Sequence, residues 1–133
     1  MKETTYTFPK YLEWAANNIT AKGGNVIIAS QTPNNPYETG TFVQSAPRFV
    51  ALAKLAASNA GVHYIDHNAY VNAAYKPLGA ATVDSFFPND HTHTAPKGAD
   101  LVSQAFVRAL ACSDFGLNKY VVNGTSTIEG KCL

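Results

Sequence analysis

An aspartate, two histidines and two threonines fill five consecutive positions, Asp90 to Thr94, within the stretch FFPNDHTHTAPKGAD. Asp90 and His93 are spaced D-x-x-H in a loop just ahead of a helix start. In a tight turn that spacing lets the carboxylate reach back to one imidazole nitrogen and leaves the other facing outward. An aspartate that fixes the tautomer and stabilises the imidazolium makes histidine a general base. The competing reading is an aspartate that caps the next helix beside a surface histidine. A base of this kind needs a nucleophile on a sharp turn and an oxyanion hole. The chain contains neither a Gly-Asp-Ser nor a Gly-x-Ser-x-Gly elbow. Ser30, Ser45, Ser58, Ser85 and Ser103 sit in strand, helix-cap, helix or pre-loop contexts without glycine on both sides.

Metal chemistry is the remaining option, because His63, Asp66 and His67 form one group and Asp90, His91 and His93 another. These are zinc-ligand types. His63, however, falls inside a strand and reads as a packed histidine, and Asp66 is better placed to cap a helix. His91 reads as structural or solvent-facing. The expectation is therefore no metal and no cofactor.

The elements that must position these residues follow from hydrophobic spacing. Phe8, Leu12, Ala15, Ala16 and Ile19 make one helical stripe, with Thr7 as cap, Pro9 in the first turn and Gly23-Gly24 as the stop. NVIIAS, Asn25 to Ser30, is β-branched and apolar on both faces, as a strand buried in a parallel sheet is. A proline- and asparagine-rich loop follows, then a helix from Ser45 to Ala60, capped by Ser45 and stopped by Gly61. VHYID, Val62 to Asp66, reads as a second strand, followed by a short helix capped by Asp66. The last helix runs from Pro96 to about Cys112, and the tail from Ser113 to Leu133 reads as irregular or weakly β.

Strands separated by helices imply crossovers and a parallel sheet. Two strands make a very small sheet of that kind, which leads to the expectation of further structure beyond these residues. Sites in open α/β sheets gather at the carboxyl ends of strands. Gln31 to Thr41, Asp66 to Asn68 and Asp90 to Thr94 all reach that rim. Gln31, Thr32 and Asn34 are candidates to line a substrate cleft; the alternative is a loop that is polar only because it is exposed.

Bulk properties narrow the classes. With 133 residues the chain is one domain at most, and 46% hydrophobic residues suffice for a core. Only 14% of residues are charged and the formal net charge is +1. No Lys/Arg cluster is present, which argues against nucleic acid and against polybasic membrane binding. No apolar run approaches the roughly 18 residues of a membrane span. Asn18-Ile19-Thr20 and Asn123-Gly124-Thr125 are glycosylation tripeptides of the kind that matter only in a secreted protein. The separation of Cys112 and Cys132 suits a disulfide tying the tail to the last helix; the other reading is two free thiols. A disulfide implies an oxidising compartment, whereas no leader is legible after Met1. That mismatch points to a chain forming part of a longer product.

The block DHTHTAPKGADLV resembles the last conserved block of the SGNH (GDSL-type) hydrolases, and within them is similar to the rhamnogalacturonan acetylesterases. TFPKYLEWAA, VIIASQTPNNPYETGTFV, GVHYIDHNAYV and the terminal GKCL carry the same resemblance, which covers the chain from about Glu3 to Leu133. It implies an α/β class: the C-terminal portion of a flavodoxin-like three-layer α/β/α sandwich with a parallel sheet, its first strands missing. Residues 1–133 would be a partial domain holding the last two parallel strands and their helices. By the family pattern Asp90 and His93 are the Asp and His of a Ser-His-Asp triad, and Cys112 and Cys132 match a C-terminal disulfide pair. The serine and the glycine and asparagine of the oxyanion hole belong to blocks absent here, so the expected deacetylase of acetylated pectic polysaccharide is inactive alone. Its natural partner would be the missing N-terminal part, and its location extracellular. Tyr37 would stack on a sugar ring or simply fill its loop. The alternative from another class is a non-catalytic carbohydrate- or partner-binding module derived from the same fold.

Overall fold

A computed structural model of the chain describes residues 6–121 and 131–133. The elements run α1 (Phe8–Thr20), β1 (Ile27–Ala29), α2 (Arg48–Ala60), β2 (His63–Ile65), α3 (His67–Tyr75), α4 (Ala80–Asp84) and α5 (Pro96–Ala111), with short 3-10 turns at Lys76–Leu78 and Asn118–Tyr120. The two strands pair in parallel, with Ile27, Ile28 and Ala29 opposite His63, Tyr64 and Ile65. The α2 helix forms the crossover between them. Helices around a small parallel sheet are the α/β architecture that the alternation of elements requires.

The strand period of two divides the side chains between the layers. Ile28 and Tyr64 face α1 and α2, where Ala16, Ala53, Ala56 and Ala57 form a tight alanine-rich core. A second core lies among α3, α4 and α5, built on Val71, Tyr75, Val83, Phe86, Phe87 and Ala105. Burial there pushes the Tyr75 phenol up to about 12. The expectation of a β1 buried on both faces is met only in part. Ile28 is buried, but Ile27 is half-buried and Ala29 exposed, because α5 packs chiefly on α3 and reaches the sheet at β2 rather than at β1.

Helix starts also differ from expectation. Thr7 occupies the N-cap of α1 with extended backbone but makes no side-chain capping bond. Pro9 lies in the first turn, where its missing N–H leaves one donor fewer to satisfy. Ser45 does not cap α2; the helix begins at Arg48 with Pro47 at its N-cap. A residue preceding proline is disfavoured in helical geometry, so Ala46 blocks extension back to Ser45. Gly61 ends α2 at φ 63°, ψ 33°, the left-handed cap that glycine adopts without a Cβ penalty. Asp66 does cap α3, accepting from Ala69 N–H at 3.0 Å.

Cys112, just past α5, is bonded to Cys132. Leu133 N–H donates to the Tyr70 hydroxyl at 3.1 Å, so the chain end is also tied to α3. Ser113 to Val121 forms bends and a 3-10 turn; the remainder of the weakly β reading, and the Asn123 glycosylation tripeptide, fall on 122–130, outside the described residues. No helix among the described residues is long and apolar enough to cross a membrane.

Candidate active site

Asp90 closes a tight turn on itself. Its Oδ1 accepts from Thr92 N–H and from His93 N–H, each at 2.7 Å. Its Oδ2 lies 2.8 Å from His93 Nδ1. The His93 backbone N–H, then its imidazole, then the Thr92 N–H hold the Asp90 carboxyl well below the usual carboxylate range. An ionised carboxylate only accepts, so Nδ1 carries the proton and the Nε2 of a neutral imidazole is a free lone pair. Among the described residues Nε2 has no hydrogen-bond partner, and the side chain is 82% exposed. The D-x-x-H spacing thus produces an imidazole oriented by Asp90, and Asp90 does not cap α5, whose N-cap is Ala95.

The turn is anchored from behind by α5. Ala95 N–H donates to Phe86 O at 2.7 Å. Gly98, buried in the first turn of α5, lies where an added Cβ would meet Phe86 Cβ at 2.8 Å and Thr94 Cβ at 2.9 Å. Glycine there permits the close approach of α5 to the Phe86 segment.

In front, the turn meets the loop after β1. Asn35 N–H donates to His91 O at 2.8 Å, and the Thr92 hydroxyl donates to Asn34 Oδ1 at 3.3 Å. His91 Nδ1 donates to Glu38 Oε1 at 3.2 Å across an exposed pair, so His91 is a surface contact. An open groove of about 390 Å³ lies there, bordered by Asn35, Tyr37, Glu38, Asp84, Asp90 and His91. Asn34 therefore touches the Asp90–His93 turn. Gln31 is exposed and Thr32 half-buried, and neither side chain makes a hydrogen bond among the described residues. The Tyr37 hydroxyl donates to Lys76 O at 2.9 Å and its ring meets Phe42 edge-on, so the residue fills its loop.

Sequence reasoning missed Asn35, Glu38 and Asp84. The available signal was the Asn-Asn-Pro run, since asparagine side chains fold back on backbone N–H groups in turns. Asn35 Oδ1 does so, accepting from Tyr37 N–H at 2.9 Å.

The other polar residues of the rim are structural. The buried Ser30 hydroxyl accepts from Asn68 N–H at 2.9 Å and donates to Asp66 Oδ1 at 3.3 Å. Ser85, Ser103 and Ser113 donate to nearby carbonyls. Among the described residues no serine bonds to His93. His67 Nε2 donates to Val102 O at 2.8 Å against the Phe106 ring, and burial holds its pKa below the usual histidine value, against the opposing effect of that bond. His63 is exposed and stacks on Phe115, with ring centres 4.1 Å apart. Among the described residues no three His, Cys, Asp or Glu side chains converge as metal ligands.

No protein-family profile matches the chain. It is 50% identical, over 131 residues, to a rhamnogalacturonan acetylesterase of Emericella nidulans. The match covers 98% of this chain and 53% of that protein, so the chain spans about half the length of its relative.

Proposed function

From the premise that 50% identity to a rhamnogalacturonan acetylesterase relates this chain to the SGNH hydrolases, we propose that it carries the base half of a carbohydrate O-acetylesterase. The carrying observation is the ionised Asp90 held 2.8 Å from His93 Nδ1, with Nε2 free and open to solvent. In the proposed reaction a serine outside these 133 residues attacks the acetyl carbonyl carbon. His93 Nε2 takes the serine proton and returns it to the sugar oxygen as the acyl C–O bond breaks. Water then attacks the acetyl carbonyl carbon of the acetyl-enzyme and gives a proton to His93, which passes it to the serine oxygen as the acyl–serine C–O bond breaks and acetate leaves. Asp90 holds the tautomer and offsets the imidazolium charge.

The rest of the assignment follows from the same premise. Gln31, Thr32 and Asn34 contribute to the sugar-binding rim beside the turn, and the substrate is an acetylated pectic polysaccharide. The partner is the remaining portion of the same domain, so that residues 1–133 form part of a larger SGNH unit. The Cys112–Cys132 disulfide supports a secreted protein.

The chain alone is expected to hydrolyse p-nitrophenyl acetate no faster than its His93→Ala variant. Clear His93-dependent turnover by the chain alone would refute its dependence on an outside nucleophile. A non-catalytic binding module is the second reading. The exposed aromatic groove of about 230 Å³ formed by Tyr6, Tyr11 and Trp14 on and beside α1 favours it, because such rings suit sugar or protein contacts.

A further inference from the structure

The Asp90–His93 turn is short, exposed and carries a base whose side chain touches little else. Where the imidazole points is set by where the turn sits. Among the described residues, the polar contacts that the Asp90–His93 turn makes beyond itself all run to one segment, residues 34–38. They are Asn35 N–H to His91 O, the Thr92 hydroxyl to Asn34, and His91 to Glu38. Asn35 is the junction of this network. Its backbone N–H holds the turn, its Oδ1 folds its own loop by accepting from Tyr37 N–H, and its Nδ2 donates to Asp84 Oδ1 at 2.8 Å. That last bond pins the loop to the C-terminal residue of α4.

We infer that Asn35, braced by Asp84, is a positioning residue for His93; this rests on the general-base reading of His93. A single residue joins three things: its side-chain amide ties the α4 end to the fold of the 34–38 loop, and its backbone N–H holds the carbonyl of His91 next to the base. Freed from Asp84, the loop would carry the Asn35 N–H and the Asn34 acceptor away from the turn. His93 would then sample more orientations relative to Asp90. Catalytic groups lose effectiveness when supporting contacts leave them even slightly loose.

The test is a bond reversal read by NMR. Asn35→Asp keeps the acceptor for Tyr37 N–H but sets a carboxylate against Asp84. Asn35→Asp combined with Asp84→Asn reverses the donor and acceptor and restores the bond. Asp84→Asn alone leaves an acceptor for Asn35 Nδ2. The readout is the ratio of Nδ1–H to Nε2–H tautomers of neutral His93, from long-range proton–nitrogen correlation spectra of the full chain. In Asn35→Asp the ratio is expected to fall about threefold, at the low end of couplings between contacting side chains. The double variant is expected to recover it, and Asp84→Asn to leave it near wild type. Asn34→Ala, which removes only the Thr92 contact, is a milder variant expected to move the ratio in the same direction. An unchanged ratio in Asn35→Asp, or a fall that the reversal does not recover, overturns the inference. Should Asn35→Asp not fold, an unchanged ratio in Asn34→Ala overturns it. The tautomer ratio needs no ester hydrolysis, so its failure is distinct from failure of the esterase reading.

Discussion

Asp90 shows how much one short spacing determines. Its three acceptor contacts come from residues two and three positions along the chain, so its geometry was legible from D-x-x-H. The same contacts give a pH prediction. Because the folded pKa is depressed, the carboxylate stabilises the fold fully above its unfolded value of 3.8, and that contribution fades as the pH falls below it. Thermal unfolding followed from about pH 6 down to about pH 2 should lose stability in this limb. Asp90→Asn should be less stable than wild type near neutrality and should converge on it in acid. Equal midpoints at neutral pH would contradict the hydrogen-bond assignment. Asn35, by contrast, was not legible. Its side-chain partner Asp84 lies 49 residues away, and no local pattern announces that pairing.

Element boundaries were legible where local stereochemistry decides them and illegible where two signals compete. Gly61 stops α2 and Asp66 caps α3 as their types dictate. At the start of α2, the cap preference of Ser45 lost to the restriction that Pro47 places on Ala46. The five-residue α4 was missed, being too short to show a periodic stripe. At α5, Gly98→Ala should destabilise the fold by about 1–3 kcal/mol, the range for overpacking. The helix-propensity gain of about 1 kcal/mol opposes this, but the new methyl would meet Cβ atoms of Phe86 and Thr94, which no rotamer change can move. Urea unfolding measures it, and a stabilised variant would show that α5 can shift. Reducing the Cys112–Cys132 bond, which spans a separation of 20 residues, should cost about 3 kcal/mol in the same assay. No change on reduction would mean that the closed loop does not constrain the unfolded chain.

For the whole molecule, the alternation of helices and strands was enough to give a parallel α/β arrangement, and the small sheet is what the structure contains. The faces of the strands were not legible, because an apolar run says that a strand is suited to burial but not which helices cover it. Ala29 and Trp14, the latter 66% exposed, show where apolar side chains remain open. The site has a comparable one-sidedness: a histidine and the carboxylate that orients it are assembled, while no serine among the described residues bonds to His93, and Ser30, Ser85, Ser103 and Ser113 are bonded elsewhere. The central claim is that His93 serves a nucleophile supplied from outside these residues. Its most direct test joins this chain to the portion of its Emericella nidulans relative that lies outside the 131 matched residues. Acetate release from acetylated rhamnogalacturonan is then measured beside a His93→Ala control. The account predicts release by the joined protein and its near-complete loss in His93→Ala; a joined protein that folds yet releases no acetate, or releases it equally without His93, would contradict it.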